Sequence, residues 1–382
     1  MRAAAGLGLR RLLSIGLACG LTWTLGHTFE LGSATAYGVV IAAVMIRPAF
    51  DHWPKPVYVL LPLLMVVGLG LGTLLKPLLE GPAYWQFAVV TAIAQCLGQA
   101  LPDRLMMVRN LLAVVAVLPL LSSNATWLAA WQQTLAVLIG LAVATLIQAA
   151  LRLPGEADAD KDAREQAEQE KPIALPPRNL AARFCDPFFW RKLVVAMLAF
   201  SIGLGLGATN PKYLYFGVVL LLSDDVGSTV ARVRDRMMGV SLGVLMPWLV
   251  FNTQPINSVS VALVMAGTTA LLSACGLLPY LRTALISSGV TFVGYGALTD
   301  WYVPTRWLDY LLGCALALAV CLLVHPVSAL RRFRELAGQA DRLTEELKAL
   351  LPSALEEARA LGQEKSIRDQ LQRWQLAAEG GR

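Results

Sequence analysis

The sequence predicts an all-α fold, a polytopic bundle of transmembrane helices. Three observations carry this prediction: 56% of the 382 residues are hydrophobic and only 15% charged, the mean hydropathy is +0.58, and the apolar residues collect in long runs. The runs are rich in Leu, Ala, Val and Gly and lack period 2, so they do not read as barrel strands. Helices are then the way to satisfy the backbone in lipid. The formal charge of +6 does not argue for nucleic acid as a partner, because the arginines sit beside the apolar runs, where topology accounts for them.

Apolar runs near 12–26, 33–46, 57–79, 84–100, 105–121, 131–151, 192–208, 213–223, 237–251, 257–277, 283–298 and 307–325 give about twelve spans. The first reads as a retained span. Arg10 and Arg11 precede its apolar core, but no clean small-x-small cleavage site, lipoprotein box or twin-arginine flank accompanies them. Alternating the loops from a cytoplasmic N-terminus puts Arg47, Arg104, Arg109, Arg152, Arg191, Lys192, Arg232, Arg234, Arg236, Arg282 and Arg331 inside, with most other basic residues. Only Lys76, Lys212 and Arg306 fall outside, which favours this orientation and an even number of spans, with both termini cytoplasmic.

The chain also repeats itself at an offset of about 176 to 181 residues. Arg10-Arg11 matches Arg191-Lys192, Tyr37-Gly38 matches Phe216-Gly217, Leu101-Pro102 matches Leu278-Pro279, and Trp131 matches Trp307. The expected organisation is a first six-helix repeat over 1–152, a flexible charged cytoplasmic linker over 153–190, a second six-helix repeat over 191–326 and a cytoplasmic helical tail over 327–382. Six spans per unit makes the repeats parallel. In the tail, Leu330, Phe333, Ala337, Ala340, Leu343, Leu347 and Leu350 recur at helical spacing. That face is covered either by a helical hairpin or by a second copy of the chain in a homodimer.

The second span of each half is short. Ten residues from Tyr213 to Leu222 make about 15 Å of helix against a hydrocarbon core of about 30 Å, and the counterpart from Leu31 to Ile46 ends in Arg47-Pro48. Interrupted segments at matching positions of two repeats point to a transporter's central site. Asp224 and Asp225 follow directly and are candidate coupling residues, since a carboxylate held at membrane depth must face a cavity or a cation. The bland alternative starts the span near Ala208 and leaves Asp224 at its wet end. Arg232, Arg236 and Arg282 are candidate substrate-binding residues at the cytoplasmic mouth, where they would concentrate anions.

Other chemistry is set aside. Asp225 to Arg232 echoes the core of a CDP-alcohol phosphotransferase motif, but that reaction needs further closely spaced aspartates to hold metal, and after Asp235 the next carboxylate is Asp300. No catalytic residue, cofactor or metal is expected, and the chain reads as no enzyme. Gly68, Gly70 and Gly72, like Gly203, Gly205 and Gly207, lie inside apolar runs without a preceding strand or a GK[ST] ending, so helix packing is their expected role. The six cysteines show no CxxC pair and read as small packing residues.

Arg236-Met-Met-Gly239-Val-Ser-Leu-Gly243, an R-x-x-G-x-x-x-G entering a span after a stretch rich in Ser, Thr and Gly, resembles the mark of the fusaric acid resistance and aromatic acid exporter superfamily. The duplicated six-span layout, hydrophilic insert and helical tail are similar as well, so the likeness covers nearly the whole chain. Gly239 and Gly243 are expected to pack helices. The first half departs from the pattern: Lys55-Pro56 precedes its third span, without an R-x-x-G. The resemblance implies an inner-membrane secondary exporter of small organic anions, typically aromatic carboxylates, with a periplasmic adaptor as partner. Coupling to protons is the expected drive. A passive anion channel and a non-transporting scaffold acting through its tail are the competing readings.

Overall fold

The computed structural model describes residues 2–47, 53, 55–101, 106–121, 126–151, 180–223, 226–251, 255–295 and 299–323. Among these residues the chain is overwhelmingly helical and holds no strand, as the sequence predicts. Nearly all of them belong to one compact unit, Met1–Asp224 with Ser228–His325. The second unit, Asp225–Gly227 with Pro326–Arg382, and with it the expected tail, lies almost wholly outside the described residues. So does the expected linker up to 179; its last residues are structured, because a short helix begins at Leu180 and the next long one at Pro187.

The helices are α1 (Arg2–Thr28), α2 (Thr35–Met45), α3 (Lys55–Leu78), α4 (Ala83–Ala100), α5 (Met106–Val117), α6 (Trp127–Leu151), α7 (Leu180–Phe184), α8 (Pro187–Gly205), α9 (Lys212–Leu221), α10 (Val226–Gly243), α11 (Leu245–Phe251), α12 (Ser258–Ala274), α13 (Leu281–Tyr295) and α14 (Thr299–Leu323). Local chemistry sets several boundaries. Asp186 caps α8 by accepting from the Phe188 amide, with Pro187 in the first turn where it needs no donor. Asn257 and Ser260 form a reciprocal capping box at the start of α12. Pro247 sets the break between α10 and α11: its ring opposes the carbonyl of Gly243, four residues back, which is where α10 stops. The glycine-rich joint after α8 turns at Gly207, with φ of 71°, so α9 begins at Lys212 rather than near Ala208.

Among the described residues, four helices are long and apolar enough to cross a membrane, over Pro56–Leu78, Trp127–Leu151, Pro187–Gly205 and Val303–Leu323, and shorter apolar helices cover Gly32–Met45, Arg109–Leu121, Lys212–Leu221 and Ser258–Ala274. The distribution of side chains is that of a membrane protein. On α1, Leu9, Leu13, Leu17, Leu21 and Leu25 form a four-residue stripe on the outer surface, while Ser14 and Thr22 are buried. The same inversion recurs elsewhere: Val59, Leu63 and Leu146 face out, and Thr91, Thr268, Ser288 and Thr291 face in. In water this arrangement would forfeit the hydrophobic effect; in lipid it costs nothing and lets small polar residues join helices.

The largest buried cluster mixes both ends of the chain, with Ile15, Ala18 and Cys19 of α1, Val39 and Ala42 of α2 and Ala144 of α6 packed with Val261, Val264 and Met265 of α12 and Leu285 and Phe292 of α13. α1 packs on α12 and α8 on α4; α2 packs on α6 and α9 on α14. The last two crossings are made by glycines. A Cβ on Gly38 would stand 2.5 Å from the Ala136 carbonyl oxygen, and one on Gly140 would stand 2.2 Å from that of Gly38. In the second half a Cβ on Gly217 would meet the Gly313 backbone at 2.7 Å, and one on Gly313 the Tyr213 carbonyl oxygen at 2.6 Å. Backbone meets backbone at both places, which no larger residue permits.

The expected packing role holds for Gly68 and Gly72, which lie against α5 and the turn after it, and for Gly203 against Pro211. It does not hold for Gly205 and Gly207, whose added Cβ would meet nothing within 4 Å, or for Gly70, which has only a Trp127 ring carbon at 3.8 Å. Among the cysteines, Cys19, Cys314 and Cys321 are buried as small packing residues and Cys96 is half-buried, whereas Cys185 and Cys275 are exposed. Replacing Gly217 by Ala is expected to lower the thermal midpoint in detergent, by overpacking that costs about 1–3 kcal/mol. Gly70→Ala, inside a helix with room for the methyl group, leaves it unchanged or raises it.

Candidate functional site

The ten-residue α9 organises the site. It is held on one side by Tyr215, whose hydroxyl donates to the Ala113 carbonyl of α5 at 2.8 Å, and whose ring meets Phe87 of α4 edge-on at 4.8 Å. Phe87 in turn stacks on Phe200 of α8 at 4.4 Å. On the other side, the Gly217–Gly313 crossing brings α9 so close to α14 that Tyr213 stacks on Tyr310, with centroids 4.5 Å apart and planes 30° from parallel.

Two guanidinium groups face this tyrosine pair. Arg306, one turn before Tyr310 on α14, is 2% exposed, lies 5.4 Å from the Tyr310 centroid and 5.5 Å from that of Tyr213, and donates to the Ser287 carbonyl at 3.2 Å and to the Thr291 hydroxyl, both on α13. Arg236, midway along α10, lies 5.3 Å from the Tyr310 centroid and donates to its hydroxyl at 3.1 Å. A second bond ties α10 to α14 one to two turns further on, from the Trp307 indole to the Ser241 hydroxyl at 3.0 Å. Each cation over a desolvated ring is worth about 0.5–2 kcal/mol, so the tyrosines hold two charges that would otherwise repel. Beside them Asp309, 3% exposed, accepts from the Asn210 amide at 2.7 Å.

A third buried cation continues the series towards the start of α10. Lys192 on α8 is 7% exposed and donates to Asn110 on α5 at 2.7 Å, and Arg232 lies within electrostatic reach of it. Arg232 precedes Arg236 by one turn on the same face of α10. Lys192, Arg236 and Arg306 thus form a row of positive charge on α8, α10 and α14, with Arg232 exposed at its edge. Such a row can attract an anion, pass it from one cation to the next and offer it aromatic faces at the Arg236–Arg306 step.

The sequence-based candidates are therefore partly gathered. Arg236 sits at the centre of the site and Arg232 on its exposed flank. Arg282 belongs to a different group, stacked 5.5 Å from the Trp53 centroid opposite Arg47, which lies 5.0 Å from the same ring. Asp224 and Asp225 lie outside the described residues. Gly239 and Gly243 pack helices as expected, since a Cβ on either would stand 2.4 Å from Thr283 or 2.3 Å from the Ala284 carbonyl oxygen of α13.

Two corrections follow. The segment from Val226 to Arg236, expected as a cytoplasmic loop, is helical, and Arg234 and Asp235 form an exposed contact at 3.3 Å on it. Arg236 and Arg306, expected on opposite sides of the membrane, lie over one ring and cannot be separated by a hydrocarbon core of about 30 Å. Arg306, Asp309, Tyr310, Tyr213 and Lys192 were not singled out by the sequence. The signal available was Asp309 itself, a carboxylate inside an apolar run with an arginine three residues before it.

Comparison with known proteins adds a likeness over part of the chain. Residues 195–320 match the family model described as fusaric acid resistance protein-like. This segment runs from within α8 into α14 and contains Tyr213, Arg232, Arg236, Arg306, Asp309 and Tyr310, but not Lys192, Asn110, Ala113 or Phe87. No curated protein and no solved structure matches the chain. The fusaric acid resistance-like segment and the apolar helices together make this a membrane protein of transporter type.

Replacing Arg236 by Met is expected to lower stability by about 1–3 kcal/mol, because the buried Tyr310 hydroxyl loses one of its two guanidinium donors. Arg234→Ala changes it by no more than about 0.5 kcal/mol. Thermal unfolding of both variants in the same detergent checks the contrast.

Proposed function

We propose that the protein is a multi-pass secondary transporter of the bacterial inner membrane that exports small organic anions, aromatic ones among them, using the proton gradient. The observation that carries this reading is the convergence of Arg236 and Arg306 on the Tyr310 ring inside a bundle with an apolar exterior. An intramembrane charge is costly and is retained where it serves a pathway, and a guanidinium beside an aromatic face suits a planar anion through both charge and stacking.

The reading includes about twelve spans in two parallel six-helix repeats with both termini in the cytoplasm. The reciprocal packing of α1 on α12 and α8 on α4, and the matching glycine crossings of α2 on α6 and α9 on α14, support that symmetry. The charges break it. α6 carries no charged residue at all, whereas α14 carries Arg306 and Asp309, so the anion is handled by the second half. In this reading the chain is no enzyme, and a periplasmic adaptor and a second copy of the chain are its protein partners; co-purification from membranes tests both.

The test is flux in proteoliposomes under an imposed pH gradient, with benzenesulfonate as a permanently charged probe beside a panel of aromatic and aliphatic acids and protein-free vesicles as control. Uphill movement supports the exporter. Flux that only follows the anion's own gradient means a channel, and no flux with loss of phenotype on deleting residues after Ala329 means a scaffold. Arg306→Ala is expected to lower flux at least tenfold without loss of membrane insertion, and Arg306→Lys to retain part of it. Wild-type flux in Arg306→Ala would remove the site.

A further inference from the structure

We propose that Asp309 is the proton-bearing group of the transport cycle, and that its carboxylate acts as a latch on the start of α9. The inference rests on the proton-driven export proposed above. Asp309 lies six residues into the Val303–Leu323 segment, about 9 Å along the helix, and is 3% exposed. Its Oδ2 accepts from the Asn210 backbone amide, two residues before α9 begins and three before Tyr213.

The chemistry of that bond gives the proton its leverage. A carboxylate accepts an amide bond about twice as strongly as a neutral group does. Charged Asp309 therefore holds Asn210, keeps α9 seated on α14 and keeps Tyr213 stacked on Tyr310 between the cations. Protonated Asp309 weakens the hold, and the ring pair that frames the anion loosens. Asp309 takes the proton from the outer side, where the anion is released, and gives it up to the cytoplasm, where the anion is bound; no covalent bond to substrate forms or breaks.

The charged and titratable groups around Asp309 are few. Arg306 and Tyr310 share its helix, Lys212 and Tyr213 stand at the start of α9 with the ammonium 5.4 Å from the Tyr213 centroid, and Arg236 comes from α10. α13 offers the Ser287 carbonyl and the Thr291 hydroxyl to Arg306, its Arg282 being on Trp53, and α11 has no ionisable side chain. The proton acts on a bound anion in two opposed ways. Removing the Asp309 charge beside Arg306 favours an anion, whereas loosening α9 disfavours it. Outward transport driven by inward protons requires the second effect to dominate, and this fixes the sign of the test.

The experiment measures benzenesulfonate binding to the purified full-length protein against pH, with infrared difference spectra of the same samples. In the wild type, affinity is expected to fall on acidification to a weak acid-form value, as a protonated-carboxyl band grows. Asp309→Asn should remove that band, make affinity independent of pH at the weak acid-form value, and abolish pH-driven uphill flux while leaving benzenesulfonate exchange across the membrane. Asp309→Glu should restore part of the pH dependence. An unchanged infrared band or surviving pH-driven flux in Asp309→Asn overturns the proposal, as does wild-type affinity that rises in acid. Loss of exchange together with coupling also overturns it, because Asp309 would then be needed for binding itself. If the wild type binds no benzenesulfonate, or shows no pH-driven flux, the exporter reading fails, and the infrared band alone then decides whether Asp309 titrates.

Discussion

The contact on which the site depends is one between two backbones. Gly217 and Gly313 let α9 and α14 approach until their main chains touch, and the nearest carbonyl to Gly313 is that of Tyr213 itself. A methyl group at either glycine would push the helices apart and lift Tyr213 off Tyr310. The tyrosine stack in turn provides the faces on which Arg236 and Arg306 rest. Two cations held within reach of one ring repel each other, so their proximity has to be imposed by the helices that carry them. α9 meets this demand with ten residues because it is clamped on both sides, by glycine against α14 and by Tyr215 and Phe87 against α5 and α4.

The two halves share this frame and use it differently. Gly38 and Gly140 bring α2 onto α6 as closely as Gly217 and Gly313 bring α9 onto α14. α2 and α6, however, contain no charged residue, and their crossing is filled by aliphatic side chains such as Ala136, Val137 and Leu141. The crossing of α2 on α6 holds no charge, whereas the crossing of α9 on α14 carries Arg306 and Asp309 in its buried face. The R-x-x-G-x-x-x-G stretch belongs to the half that carries these charges. Gly239 and Gly243 seat α10 on α13, and that seating aims Arg236 at Tyr310.

Much of the frame was legible in the chain. Helical class, the apolar exterior, the short second span in each half and the packing role of Gly239 and Gly243 follow from hydropathy, length and residue size, which act locally. The alignment of Tyr37-Gly38 with Phe216-Gly217 already marked the two glycines that make the crossings, although nothing in the sequence said what they cross. Arg236, a candidate for its place at the cytoplasmic mouth, lies over the Tyr310 ring. Basic residues beside apolar runs read as marks of a wet face, yet Arg282 stacks on Trp53, 226–236 is helical, and Arg306 is buried over Tyr310.

What the sequence determined by itself was composition and periodicity, hence an all-α apolar bundle, and a family likeness that was read over nearly the whole chain and is matched over 195–320. What only the tertiary structure decided was which charges meet. Arg236 and Arg306 are separated by seventy residues, and Lys192 lies further off still. A ring such as Tyr310 gathers two of them because helix crossings, not chain distance, set the spacing inside a bundle. Charge near a span reads alike whether it faces water or a neighbouring helix, and the difference appears only when the neighbours are in place.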